Sequence, residues 1–152
     1  MIFPFVKQTK NDAETRAVAA LFAAEVSAGQ VILLQGDLGA GKTTFVRGFC
    51  EGLEPDKAWE VDSPTYTIVN HYPIGPGIDH IDLYRLEGPE ALESIDLDGI
   101  LASDTLTFIE WPERLADYGL TKVHFLIKIE QSRPSIRDIR ILKLPQNAIQ
   151  TV

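Results

Sequence analysis

The sequence predicts a single α/β domain of 152 residues, built on a mainly parallel sheet with antiparallel additions and flanked by a few helices. Three observations carry that expectation. The apolar run Val31–Leu34 reads as a buried strand. It runs into Gly36-Asp37-Leu38-Gly39-Ala40-Gly41-Lys42-Thr43, which fits G-x-x-x-x-G-K-[ST]. Behind that loop, Val46, Phe49, Cys50 and Leu53 share one face of a helix. The order strand, glycine-rich loop, helix is the context that a phosphate-binding loop requires.

In chain order, residues 2–8 read as a short edge strand with Pro4 near its start. Asn11 followed by Glu14 predicts a helix N-cap with a capping-box partner. Val18, Leu21, Phe22 and Val26 repeat at helical spacing, and Gly29 predicts the stop. The second helix runs from about Lys42 to Leu53. Pro55, Asp56, Asp62, Ser63 and Pro64 mark a loop over 54–64. Tyr66 to Tyr72 and Ile78 to Leu83 read as an antiparallel hairpin about the turn 73–77. A short helix is expected over Pro89 to Leu97, with its acidic residues Glu90, Glu93, Asp96 and Asp98 on a solvated face. Leu106 to Ile109 is a strand ending in Glu110-Trp111-Pro112. A brief helix over Glu113 to Tyr118 stops at Gly119. Val123 to Ile129 and Ile136 to Leu142 are two more strands.

The residue types of the loop follow from its chemistry. Glycines let the backbone curl so that successive N–H groups point inward and form an anion nest. The start of the next helix adds free N–H groups and the positive end of its dipole. Lys42 offers a mobile positive charge for the β- and γ-phosphates. The Thr43 hydroxyl suits Mg²⁺, a hard cation that takes oxygen ligands. Gly36, Asp37, Leu38, Gly39, Ala40, Gly41, Lys42, Thr43 and Thr44 are therefore the expected cofactor-binding stretch.

Composition sets limits. Apolar residues at 45% and charged residues at 24% suit a globular chain with a real core. A net charge of −8 argues against a large phosphate-contacting surface, so direct DNA binding is not expected. The single Cys50 leaves no internal disulfide framework and fits a reducing compartment. No signal-peptide layout or membrane-length apolar run occurs, so the reading is cytoplasmic, with no membrane partner.

A phosphate-binding loop needs an acidic residue at the end of a neighbouring strand to hold Mg²⁺. Glu110, after four strand-like residues, is the better fit, and Asp82 in His80-Ile81-Asp82-Leu83-Tyr84-Arg85-Leu86 is the second; either is otherwise a solvated or salt-bridged carboxylate. Thr65, in Ser63-Pro64-Thr65-Tyr66-Thr67, is placed to sense the γ-phosphate from a loop, or simply begins a strand. His71 and His80 fall in opposing hairpin strands and read as surface or hairpin packing rather than a metal pair. Trp111 caps the site or packs, and Trp59 sits in an acidic loop. No Asn-Lys-x-Asp element marks guanine, so ATP is the default nucleotide. A small-molecule kinase and a non-catalytic, nucleotide-gated scaffold are the alternatives. The scattered arginines and the lack of a lid segment weigh against the kinase.

Four motifs in order, Gly36 to Phe45, Ser63 to Thr67, His80 to Leu86 and Ile109 to Pro112, resemble the TsaE (YjeE) family over roughly residues 11–115. That resemblance implies a bacterial P-loop ATPase of weak activity, binding ATP or ADP and Mg²⁺. It implies work with TsaD and TsaB in threonylcarbamoylation of adenosine 37 in tRNAs reading A-starting codons, with tRNA met only through the complex. By motif, it implies that Lys42 holds phosphates, that Thr43 and Glu110 bind Mg²⁺, and that Asp82 is a catalytic or metal-shell carboxylate. Thr65 becomes a switch-like residue and Trp111 a neighbour of the site. Asp12 and Thr15, at the start of the first helix, and Arg133 are the implied adenine contacts.

Overall fold

A computed structural model describes residues 1–86, 92–116 and 118–145. Its centre is one seven-stranded sheet in the order β1-β7-β6-β2-β5-β4-β3. The strands are β1 (Phe5–Thr9), β2 (Val31–Gln35), β3 (Val69–Tyr72), β4 (Ile78–Asp82), β5 (Leu106–Glu110), β6 (Phe125–Arg133) and β7 (Ile136–Lys143). The helices are α1 (Asp12–Ala23), α2 (Lys42–Leu53) and α3 (Leu97–Ala102), with 3-10 turns at Pro55–Glu60 and Pro112–Leu115.

The middle strands β6, β2, β5 and β4 pair in parallel. Antiparallel pairs finish both edges: β7 and β1 on one side, β3 on the other. The expected mainly parallel sheet with antiparallel additions is therefore the observed one. β2 is apolar from Val31 to Leu34 because both of its faces are covered there. Ile32 and Leu34 face the layer of α1 and α2, with Phe22, Phe45, Phe49 and Phe108. Val31 and Leu33 face the other layer, with Leu97, Ile109 and Leu115.

At Gly48 and Gly52 the two main helices meet backbone to backbone. A Cβ on Gly48 would lie 2.4 Å from Arg16 Cα, and one on Gly52 would lie 2.6 Å from the Ala20 carbonyl oxygen. An Arg16–Glu51 ion pair of 2.7 Å closes the rim of this contact. Asn11 caps α1 as expected, its side chain accepting from the Glu14 N–H at 2.8 Å.

Several boundaries differ from the sequence reading. Leu21 is 67% exposed, and α1 buries Val18, Ala19 and Phe22 instead. The helix ends at Ala23, while Gly29, at φ +73, serves the turn before β2. The 54–64 loop contains a 3-10 turn that Pro55 starts. The strand expected from Tyr66 begins only at Val69. The Ile68 N–H donates to the Pro64 carbonyl and Ile68 takes a left-handed φ of 69°, which breaks the extended run. Of the helix expected from Pro89, residues 87–91 lie outside the described residues, while Leu92 and Glu93 are helical and a turn follows. The described helix α3 begins where that one was to end, with Asp96 accepting from the Gly99 N–H. No helix among the described residues is long and apolar enough to cross a membrane.

One buried contact carries a pH dependence. The Val31 N–H donates to His124 Nδ1 at 3.0 Å, which requires a neutral ring. Burial, with the Lys122 ammonium adding to it, holds the His124 pKa below its ordinary value. A histidine depressed in the fold contributes full stability above its unfolded pKa of about 6.5 and loses it as the pH falls below that. Melting temperature is expected to drop below about pH 6.5, and His124→Gln is expected to flatten that step.

Candidate active site

The loop after β2 is shaped by glycine where no other residue fits. Gly36 presses on β6: a Cβ there would sit 2.4 Å from the Ile129 carbonyl oxygen. Gly39 and Gly41 take left-handed φ of 79° and 108°. The Ala40 N–H donates back to the Asp37 carbonyl at 3.0 Å, closing the turn. Gly41 is the N-cap of α2 and brings no side-chain acceptor, so the first turn of that helix opens toward the cleft.

Lys42 folds into this loop with 4% of its surface exposed. Its Nζ donates to the Gly36 carbonyl at 2.7 Å and to the Asp37 carbonyl at 3.0 Å. Glu110 Oε2 lies 3.9 Å away, and the Trp111 ring centroid lies 4.6 Å away. Burial lowers the Lys42 pKa, while the carboxylates of Glu110, Asp82, Glu113 and Asp37 oppose that shift.

The two acidic candidates are neighbours. Parallel pairing of β4 with β5 sets Asp82 directly beside Glu110 at the C-terminal ends of both strands, and both are buried. Asp82 Oδ1 accepts from the Tyr84 N–H at 2.9 Å, and Oδ2 accepts from the Thr65 hydroxyl at 2.7 Å. The Thr65 hydroxyl also lies 2.7 Å from that of Ser63. Glu110 Oε1 meets His80 Nε2 at 2.8 Å, so Oε2 faces Lys42. A cleft of about 200 Å³ is lined by Leu38, Gly39, Gly41, Lys42, Thr43, Thr44, Ser63, Thr65, Asp82, Glu110, Trp111 and Arg137. Trp111 holds its place through a left-handed φ of 59° and a 4.9 Å contact with the Tyr84 ring.

The structure thus gathers Lys42, Thr43, Thr44, Thr65, Asp82, Glu110 and Trp111, with Leu38, Gly39 and Gly41. Gly36 and Asp37 join through Lys42, and Ala40 through Arg137. Thr15 does not line the cleft. It is wholly buried, with its hydroxyl 2.8 Å from that of Thr9. Arg133 does not line it either, standing exposed at the end of β6. Arg137 lines the cleft instead: its Nε donates to the Ala40 carbonyl at 2.9 Å, and its Nη2 pairs with Asp12 at 2.8 Å. Asp12 is placed beside the loop by that ion pair alone.

Two residues escaped the sequence reading. Arg137 shares the inward face of β7 with the buried Ile139 and Ile141, so an arginine among core-facing positions was the available signal. His80 is fully buried in the hairpin, near the Tyr72 ring, rather than on the surface, and it also bonds to Glu110, which the sequence reading did not anticipate. Its signal was the His80-x-Asp82 spacing, which puts both side chains on one face of a strand. His71 stands on the opposite face, exposed and 2.9 Å from Asp79, so the two histidines do not form a pair. Trp59 is 75% exposed on the first 3-10 turn.

The donors present fit a nucleotide with Mg²⁺. Thr43, Asp82 and Glu110 offer hard oxygens within one cleft. Among the described residues no group of three or more His, Cys, Asp and Glu is placed to hold a metal.

Strand, glycine loop, helix and the adjacent carboxylates define a P-loop protein of the α/β class. The family model described as "Threonylcarbamoyl adenosine biosynthesis protein TsaE" matches residues 9–139. The chain belongs to the TsaE family. It is 38% identical to the TsaE protein of Bacillus subtilis over 133 residues, covering 87% of this chain and 81% of that one. It is 46% identical to that of Haemophilus influenzae over 85 residues, covering 55% and 52%. The match to the Nostoc protein is 42% identical and covers 67% and 64%. All three carry the description "tRNA threonylcarbamoyladenosine biosynthesis protein TsaE". The crystal structure of Bacillus subtilis YdiB superposes with a TM-score of 0.73 at 30% identity, over 95% of this chain and 88% of that one.

Proposed function

We propose that this chain binds ATP with Mg²⁺ and hydrolyses it slowly, as a subunit of the cytoplasmic machinery that places threonylcarbamoyl on adenosine 37 of tRNAs reading A-starting codons. Its partners in that machinery are TsaD and TsaB. The observation that carries the reading is the buried approach of Lys42 Nζ to Glu110 Oε2, 3.9 Å apart inside a glycine loop. The ammonium would act on charge that develops at a transferring phosphoryl group, and the carboxylate would act there through the Mg²⁺ it holds. The relatives' shared description supplies the tRNA modification.

Each residue has a task. The loop N–H groups receive the phosphates. Lys42 exchanges the Gly36 and Asp37 carbonyls for phosphate oxygens. Thr43, Glu110 and Asp82 would hold Mg²⁺, which supplies charge neutralisation on the phosphates when bound. Thr65 leaves Asp82 as the 63–67 segment closes, freeing that carboxylate. Arg137 ties Ala40 to α1 and keeps the loop open to the nucleotide. The acidic charge of −8 leaves tRNA contact to the partners.

The test is a reconstituted tRNA-modification reaction with and without this chain, alongside hydrolysis assays of Glu110→Ala. Loss of both activities is expected, and unchanged hydrolysis would refute the site. Full modification with a non-hydrolysable ATP analogue would favour the scaffold reading. Tight, salt-sensitive tRNA binding by the isolated chain would overturn the indirect role. Thr65→Ala is expected to lower hydrolysis about tenfold with little change in nucleotide affinity, because one hydrogen bond of the closed state is lost.

A further inference from the structure

The fold alone does not ask for a histidine at position 80. The ring is fully buried on the α1–α2 side of β4, where its strand neighbours Ile78 and Phe108 are apolar. The Tyr72 ring lies 6.4 Å away. His80 Nδ1 is buried and has no hydrogen-bond partner. A hydrocarbon ring would fill the same space without leaving a polar atom bare. What the imidazole supplies is its other nitrogen, 2.8 Å from Glu110 Oε1. A carboxylate accepts there, so Nε2 is the donating nitrogen.

The consequence lies in where Glu110 then points. With Oε1 engaged by His80, Oε2 is the oxygen turned to Lys42 and the cleft. We infer that His80 is a positioning residue: it fixes the rotamer of Glu110 so that Oε2 presents to the Mg²⁺ of the bound nucleotide. This rests on the reading of Glu110 as a Mg²⁺ ligand. Outer-shell donors of this kind commonly matter by 10–100-fold in metal affinity.

The test uses the full chain and measures ADP affinity by titration calorimetry, with Mg²⁺ and with chelator. The readout is the ratio of the two affinities. Wild type is expected to bind more tightly with Mg²⁺, and Glu110→Gln to lose that gain. His80→Phe is expected to lose about tenfold of it. His80→Gln, whose amide nitrogen reaches the place of Nε2, is expected to restore most of the gain. His80→Asn, one methylene shorter, is expected not to. The Asn and Gln pair gives the same contrast if the phenylalanine variant fails to fold. Full Mg²⁺ gain in His80→Phe or His80→Asn, with Glu110→Gln defective, overturns the inference alone. No gain in wild type, or full gain in Glu110→Gln, overturns the metal reading and this inference with it.

Discussion

Lys42→Ala is expected to reduce ATP hydrolysis by about 10²–10³-fold at saturating nucleotide, the usual cost of removing one preorganised group from a transition state. The argument is local. The ammonium is 4% exposed and sits 3.9 Å from Glu110, inside the glycine loop. Alanine removes the charge and no neighbouring side chain among those lining the cleft takes its place except Arg137, which is already engaged by Ala40 and Asp12. Folding should suffer less. The variant relieves the desolvation of a buried ammonium but leaves the Gly36 and Asp37 carbonyls without their donor. A hydrolysis assay paired with a melting curve separates the two effects. Wild-type hydrolysis in a well-folded variant would remove Lys42 from the site.

Phe49→Ala is expected to be strongly destabilising. Phe49 is wholly buried, 4.9 Å from the Phe108 ring in edge contact and 5.9 Å from Phe22. It therefore joins α2 to α1 and to the middle of β5. Emptying such a site costs about 3–5 kcal/mol. Against a total stability of about 5–15 kcal/mol, that lowers the melting temperature by roughly 10 °C. The same loss loosens the seat of α2, whose first turn forms the phosphate site, so nucleotide affinity should fall as well. A melting shift under about 3 °C would mean that the cavity collapses and refills.

The glycine loop, Lys42 and Thr43 were legible because each feature is local: strand, turn and helix follow within one short stretch. Glu110 and Asp82 were legible as strand ends, though their adjacency depends on β4 pairing with β5 across a sequence gap. His80 and Arg137 were hidden for the same reason. The partner of His80 is thirty residues away, and Arg137 reaches a loop 97 residues earlier. Strand alternation placed both side chains inward, yet only the register says what they meet. Thr15 misled because the start of a helix beside a loop can face the core as easily as the cleft. Ile68 misled because a β-branched residue reads as strand, while the Pro64 carbonyl draws its N–H into a turn.

The bare contact between α1 and α2 has a mechanical consequence. Gly48 and Gly52 set backbone against backbone, so any side chain added at either position would push the helices apart. That close contact bolts α2, whose first turn opens on the cleft, to α1. The segment after Asp62 is the piece that is latched rather than bolted: Arg47 holds the Val61 carbonyl at one end, and Thr65 hangs on Asp82 at the other. On that latch the Tyr66 side chain stands 81% exposed, so the segment offers an aromatic ring to solvent directly beside the cleft.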